Sequence, residues 1–201
     1  MVRGTDEMNY EPPAASVTRL RTIGQDLRTA TPVEGNFSKG GKAIFRLPGG
    51  QLYYDSLLDL DSDGSRFAAE DLTGDPDTSL HQPNGKPVDS ENIPYFVMPR
   101  AFAEQFGIVL GDIAAVIFKD KIEFAVLADH GPSKKLGEGS IALHRSLGHE
   151  VIRGGTFHDE AIDQDVITVV FPGSGDGTPR TPDEIRRIGR GLFAKLGGEI
   201  S

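Results

Sequence analysis

Two carboxylates nine residues apart, Asp129 and Glu138, stand where this sequence is best placed to do chemistry. Along Lys121–Asp129, Ile122, Phe124, Val126 and Ala128 alternate with Glu123, Ala125, Leu127 and Asp129. A period of two predicts a strand, with Asp129 at its exit from the core on the face shared by Glu123, Ala125 and Leu127. Glu138 lies between Gly137 and Gly139, just ahead of a short helical run, Ser140–Leu147, stopped by Gly148. Gly131, Pro132 and Gly137 bend the connecting loop, so both carboxylates can face one cleft. Such a pair suits glycoside hydrolysis, in which one carboxyl protonates the leaving oxygen and the other activates water or attacks. The bland alternative is two solvated loop carboxylates. One electrostatic feature works against an acid at 138, because a helix N-terminus favours the ionised form. Burial must outweigh it if Glu138 is to hold a proton near neutral pH.

Upstream, Asp59, Asp61 and Asp63 are spaced two apart, which on an extended segment puts them on one face, able to hold cationic groups. Followed by Gly64 and Glu70, they also fit the spacing of a calcium-binding loop. Against calcium, Arg66 stands where an apolar residue belongs, and the preceding Gln51-Leu52-Tyr53-Tyr54 reads as a strand, not an entering helix. A solvated acidic turn is the third reading. Other motifs fail on context. Gly35–Gly40 has phosphate-loop spacing, but Gly41 stands where lysine must be. Gly173, Gly175 and Gly177 follow a strand and precede a helix, yet the third is one position early for a dinucleotide fingerprint. His130, His144, His149 and His158 include no pair at i, i+4 spacing, so no metal ligands are assigned; His130 adjoins Asp129 and can tune it.

These groups need a scaffold. A chain of 201 residues suits one domain, and its 25 Gly and 13 Pro favour many turns between strands. Apolar runs predict strands at Ala43–Leu47, Gln51–Tyr54, Pro94–Met98, Ile113–Phe118, Lys121–Ala128 and Val166–Phe171. The first two flank Pro48-Gly49-Gly50 and the fourth and fifth flank Lys119-Asp120, both at hairpin length. A helical turn is expected at Arg100–Phe106, ended by Gly107. The fold expected is mainly β, a small β-barrel-like single domain with a few peripheral helices. Residues 1–36 read as a loosely ordered arm with one amphipathic helix carrying Val17, Leu20, Ile23 and Leu27. Residues 37–175 form the catalytic β-rich domain, and 176–201 a linker and docked helix. That helix opens on Thr181-Pro182-Asp183-Glu184, a full capping signal, and sets Ile185, Ile188, Leu192 and Leu196 on one face.

With no cysteine, the chain has no disulfide, thiolate nucleophile or cysteine-held metal. Its 30 acidic against 21 basic residues, a net charge of −9, argue against nucleic acid as a partner and suit a cationic ligand. No run approaches the ~18 apolar residues of a membrane span, so no membrane partner is expected. Met1–Met8 lacks the apolar core of a secretory leader, and the sequence assigns no compartment. A monomer is expected.

Gly111-Asp112-Ile113-Ala114-Ala115-Val116, the strand ending at Asp129, Gly131-Pro132 and above all Gly137-Glu138-Gly139-Ser140 together resemble glycoside hydrolase family 75, the fungal and bacterial chitosanases. That family carries an Asp after a strand and a Glu nine positions later in a Gly-Glu-Ala-Ser setting; Gly139 replaces the Ala here. Asp59–Gly64 resembles the family's repeated-Asp segment, with Ser62 for the usual Cys, and Val166–Phe171 resembles its late strand. The resemblance spans about residues 43–175. It implies an inverting endo-chitosanase that cleaves β-1,4 bonds between glucosamine units, with Glu138 as acid, Asp129 as base and no cofactor. Inversion would set the carboxyls roughly 6.5–9.5 Å apart. On this reading Asp59, Asp61 and Asp63 bind the ammonium groups of chitosan or a related glucosamine oligosaccharide. Tyr53, Tyr54 and Tyr95 are candidates to stack on sugar faces. The family is typically secreted. Two other readings stay open: a hydrolase of another amino-sugar polymer such as peptidoglycan, and a non-catalytic carbohydrate- or calcium-binding module of the same fold.

Overall fold

Extended runs of branched and aromatic residues, broken by glycine turns, close a sheet on itself in the computed structural model, which describes residues 10–200. Two short helices, α1 (Ala14–Arg19) and α2 (Ile23–Asp26), come first. Strand β1 (Thr31–Pro32) then pairs with β2 (Ala43–Arg46), which turns through Pro48-Gly49-Gly50 into β3 (Leu52–Asp61). After a long acidic segment come β4 (Tyr95–Val97) and α3 (Arg100–Gln105). The hairpin of β5 (Ile113–Phe118) and β6 (Lys121–Asp129) turns at Lys119, whose φ of +52° suits a tight connection. Strand β7 (Glu138–Ser140) runs straight into α4 (Ile141–Ser146). A separate ribbon, β8 (Ile152–Arg153) with β9 (Thr156–Phe157), precedes β10 (Ile162–Phe171), and α5 (Pro182–Lys195) follows.

Strands β3, β10, β5, β6, β4 and β7 are neighbours in that order, and β7 pairs back onto β3, so six strands make a closed barrel. The mainly β, barrel-like fold expected from the sequence is the fold found. Closure leaves no free edge in the ring. Strand β3 makes it possible, because residues 52–55 carry β2 on one edge while residues 59–61 carry β7 in parallel register.

Both faces of the ring are covered. Tyr53, Ala115, Phe124, Val126, Ile167 and Val169 lie with Ile185 and Phe193 of α5 and with Leu20 and Ile23. Tyr54, Ala114, Val116, Ala125, Leu127 and Val170 lie with Leu143, Leu147 and Phe102. A 14-residue helix such as α5 cannot lie inside so narrow a ring, so its side is the outer face and the second set fills the lumen. Two buried faces explain why the strands read as nearly continuous apolar runs.

The N-terminal segment is more ordered than its sequence suggests. Its one expected helix is two, broken around Leu20–Thr22, and both Leu20 and Ile23 enter the outer cluster. The Tyr10 hydroxyl donates to the buried Asp55 carboxylate, and Thr22 bonds the Gly197 carbonyl beyond α5. The expectation about a secretory leader at Met1–Met8 lies outside the described residues. The capping box of α5 forms as expected, Thr181 and Glu184 bonding each other's backbone amides. The glycine-rich segment ahead of it is a fastening. Asp112, fully buried, accepts from the amides of Val109, Gly173 and Gly175.

Within α5 two glycines test the docking. A β-carbon at Gly189 would meet the Phe124 ring at 2.3 Å, whereas at Gly191 nothing lies within 4 Å. Gly189→Ala is expected to destabilise the protein by about 1–3 kcal/mol through overpacking. Gly191→Ala should stabilise it by about 0.5–1 kcal/mol through helix propensity. Urea unfolding of the two variants checks the docking, and equal effects would contradict it.

Candidate active site

The barrel's closure brings Glu138 beside the acidic end of β3. Their parallel register sets Asp59 opposite Glu138 and Asp61 opposite Ser140. Strand β4 pairs with β7 on the other side, Val97 opposite Glu138, and Val97 in turn stands opposite Asp129 of β6. Directly opposed residues share a face. Asp59, Glu138, Val97 and Asp129 therefore form one row across four strands, on the outer face.

Simple alternation puts Asp129 on the other side, with Ala125 and Leu127, and here the structure corrects the sequence reading. The β4–β6 register shifts by one residue between Phe96–Leu127 and Val97–Asp129, leaving Ala128 as the extra residue of a bulge. Ala128 stays with Val126 in the outer cluster, and Asp129 is turned outward beside it. The bulge lies between strands distant in sequence, so no local pattern announces it.

Glu138 is held by its surroundings. Ser140 caps α4 through the Leu143 amide and also accepts from the Tyr95 amide, while Ser90 accepts from Ile141 and donates to the Asp61 carbonyl. Where the resemblance expects alanine, Gly139 fits a tight spot, since a β-carbon there would meet Leu143 at 2.8 Å and the Tyr95 carbonyl at 3.0 Å. A β-carbon at Gly131 would stand 2.9 Å from Glu138 Oε2, so that glycine keeps one carboxyl oxygen open to the cleft.

The cleft itself, about 470 Å³, is lined by Leu60, Asp61, Asp63, Asp71, Thr73, Asp75, Asp129, His130, Gly131, Pro132, Lys135 and Glu138. Asp129 Oδ1 accepts from the amide and hydroxyl of Ser79 and from the His130 amide. Single carboxylate oxygens of Asp61, Asp63 and Asp129 lie within 4.8 Å of one another, a set that could hold a cation as readily as share protons. Tyr95, buried beneath, donates to Asp61 at 2.7 Å. Burial raises Asp61 well above the ordinary carboxylate range, helped by the charges of Asp63 and Glu138. Asp63 is pushed up to about 7, chiefly by burial, which the bond from the Asp75 amide opposes and the Asp129 charge assists. Glu138 is also raised by burial, although the Lys135 ammonium pulls it back. Burial thus wins the contest anticipated from the sequence, and the opposing charge is a lysine.

Lys135 Nζ sits 2.6 Å from both Asp59 and Glu138, and Lys39 pairs with the same Asp59 oxygen. These cations hold Asp59 below its ordinary value despite its burial. Asp59 therefore stands apart from Asp61 and Asp63, which face the cleft. The calcium-loop pattern does not converge either, because Asp59 is bound to lysines and Glu70 is exposed. Tyr53 and Tyr54 are fully buried on opposite faces of β3, so neither presents a ring to a sugar. Their strand is covered on both sides, which the sequence pattern left open. Tyr95 reaches the site only through its hydroxyl. Sequence reasoning missed Lys39, Lys135 and Ser79. Lys135 lies in the bent loop already singled out, but nothing local marks Ser79.

A family model described as fungal chitosanase of glycosyl hydrolase group 75 matches residues 58–187. No curated protein matches the chain.

The raised carboxyls have a thermodynamic consequence. A carboxyl whose pKa is higher folded than unfolded favours the folded state below its unfolded value, and that benefit is lost as pH rises through the folded value. For Asp63 the window runs from about pH 4 to about pH 7. Asp63→Asn mimics the protonated group. Its stability relative to wild type should rise between pH 4 and pH 8 by on the order of 1 kcal/mol, allowing for solvent screening. Urea unfolding across that range measures it, and a pH-independent difference would count against the burial argument.

Proposed function

The chain belongs to glycosyl hydrolase group 75, and from that premise we propose that it is an inverting endo-chitosanase in which Glu138 is the general acid and Asp129 the general base. The observation that carries this reading is the row across the barrel. Glu138 and Asp129 lie on one face, separated by the strand bearing Val97. Two strand spacings put their backbones about 10 Å apart, which suits a pair that must admit a water between its carboxyls.

The roles follow from the surroundings. Glu138 is buried, its pKa is raised and one oxygen is open beside Gly131, so it can carry a proton to the glycosidic oxygen. Asp129, bonded by Ser79 and the His130 amide, takes a proton from water as that water attacks the anomeric carbon. The carbon–oxygen bond to the leaving sugar breaks, the new hydroxyl forms on the opposite face, and proton exchange with solvent resets both carboxyls.

Recognition rests on charge. The lining has no Phe, Tyr or Trp ring, while Asp61, Asp63, Asp71 and Asp75 are free of any lysine or arginine partner among the described residues. An arriving ammonium group of glucosamine would draw the raised Asp61 and Asp63 carboxyls into their charged forms and pair with them.

A glucosamine hexamer incubated with wild type, Glu138→Gln and Asp129→Asn tests the assignment. Wild type should release short oligomers whose first-formed reducing end is the α anomer by NMR. Each variant should lose at least about a hundredfold in rate. A β anomer, or turnover surviving in Glu138→Gln, would refute the mechanism.

A further inference from the structure

The cleft is electrically lopsided. At one end, Lys135 lines the cleft and bridges Glu138 to Asp59, and Lys39 joins it on Asp59 behind the lining. When Glu138 carries the proton it must donate, that end holds two ammonium groups against the single charge of Asp59. At the other end, Asp61, Asp63 and Asp75 have no lysine or arginine partner among the described residues.

The lysines are built in. The loop bearing Lys135 is bonded through backbone groups to the chain before β2: Ser38 and Lys39 donate to the Lys134 carbonyl, and Leu136 donates to that of Lys39. Gly40 makes the approach possible, since a β-carbon there would fall 1.6 Å from the Leu136 carbonyl oxygen. Although burial disfavours a charged lysine, the two carboxylates hold Lys135 above its ordinary value, so it remains a cation. Residues 36–41 lie outside the stretch matched by the family model, 58–187.

An arriving sugar must lie against one end or the other. A protonated glucosamine at the Glu138 end would set a third ammonium beside Lys135 and Lys39, and like charges in contact are strongly unfavourable. An N-acetylated unit carries no charge there, and its amide can accept a hydrogen bond from an ammonium. We infer that Lys135, supported by Lys39, is a specificity-determining residue that directs an N-acetylated sugar to the Glu138 end of the cleft and a glucosamine to the Asp61–Asp63 end. The preferred substrate is then a partly acetylated chain cleaved in one orientation. This rests on the hydrolase reading above and specifies its substrate further.

The test is digestion of partly acetylated and fully deacetylated chitosan by wild type, Lys135→Met and Lys39→Met, with the sugars at each new chain end identified by mass spectrometry. Wild type should cleave the partly acetylated polymer faster and leave acetylated units enriched at one kind of new end and glucosamine at the other. Lys135→Met should reduce that end bias by about tenfold, and Lys39→Met should reduce it less. Both biases should shrink with added salt. Because bias is a ratio within one digest, a general loss of activity leaves it readable. Should Lys135→Met not fold, the more exposed Lys39→Met decides, and an unchanged bias there overturns the inference. Unbiased ends from wild type, or a bias intact in folded Lys135→Met, also overturn it while leaving the hydrolase reading standing. If wild type cleaves neither polymer, both fall together.

Discussion

The pairing of β3 with β7 is the constraint on which the rest depends. It is only three residues long, Asp59 to Asp61 against Glu138 to Ser140, yet it joins the two ends of a six-stranded ring. A seam so short needs help from side chains. The buried His144 imidazole spans it, one ring nitrogen 3.1 Å from the Leu58 carbonyl and the other 3.0 Å from that of Ser140. Burial lowers that histidine to about 4, so the ring is neutral at ordinary pH and only one of its nitrogens can donate at a time. Ser90 and Ser140 fasten the same seam through the backbone. The residues that close the barrel are thus the immediate neighbours of those that form the site.

Concentrating carboxyls at this seam costs stability. Asp61, Asp63 and Glu138 are all raised by burial, and like charges in the cleft raise them further. A stable fold does not require such an arrangement, and functional sites are where such conflicts gather. The cost is offset by two covered faces, with α5 and the N-terminal helices on the outside and α4 side chains in the lumen. It is also limited by Lys135 and Lys39, which neutralise the one carboxylate, Asp59, that stays ionised in their midst.

Much of this was legible in the sequence where the determining contacts are local. The turn at Pro48-Gly49-Gly50, the hairpin at Lys119-Asp120 and the capping box at Thr181 are set by neighbouring residues, and each forms as expected. Spacing and loop bends mark Asp129 and Glu138 only beside the reading of two solvated carboxylates, and the family resemblance is what selects them. What escaped was set at a distance. Strand β3 extends to Asp61 only because β7 is there to receive it, and the polar start of β10, Ile162 to Asp165, has no strand pattern of its own. The outward turn of Asp129 depends on a register shift against β4, thirty-odd residues earlier in the chain. Tyr53 and Tyr54 look like sugar platforms until both faces of their strand prove to be covered. Lys135 became visible as part of the site only once Asp59 stood opposite Glu138.

The short seam also links the enzyme's chemistry to its assembly. Asp129 arrives on a hairpin of strands adjacent in sequence, whereas Glu138 is placed by pairings with β3 and β4, both distant in sequence. A chain with an open ring has both carboxylates but not the row across four strands that brings them to one face. On the proposed assignment, the pair exists only while β7 holds its place between β3 and β4, and any local opening there separates it.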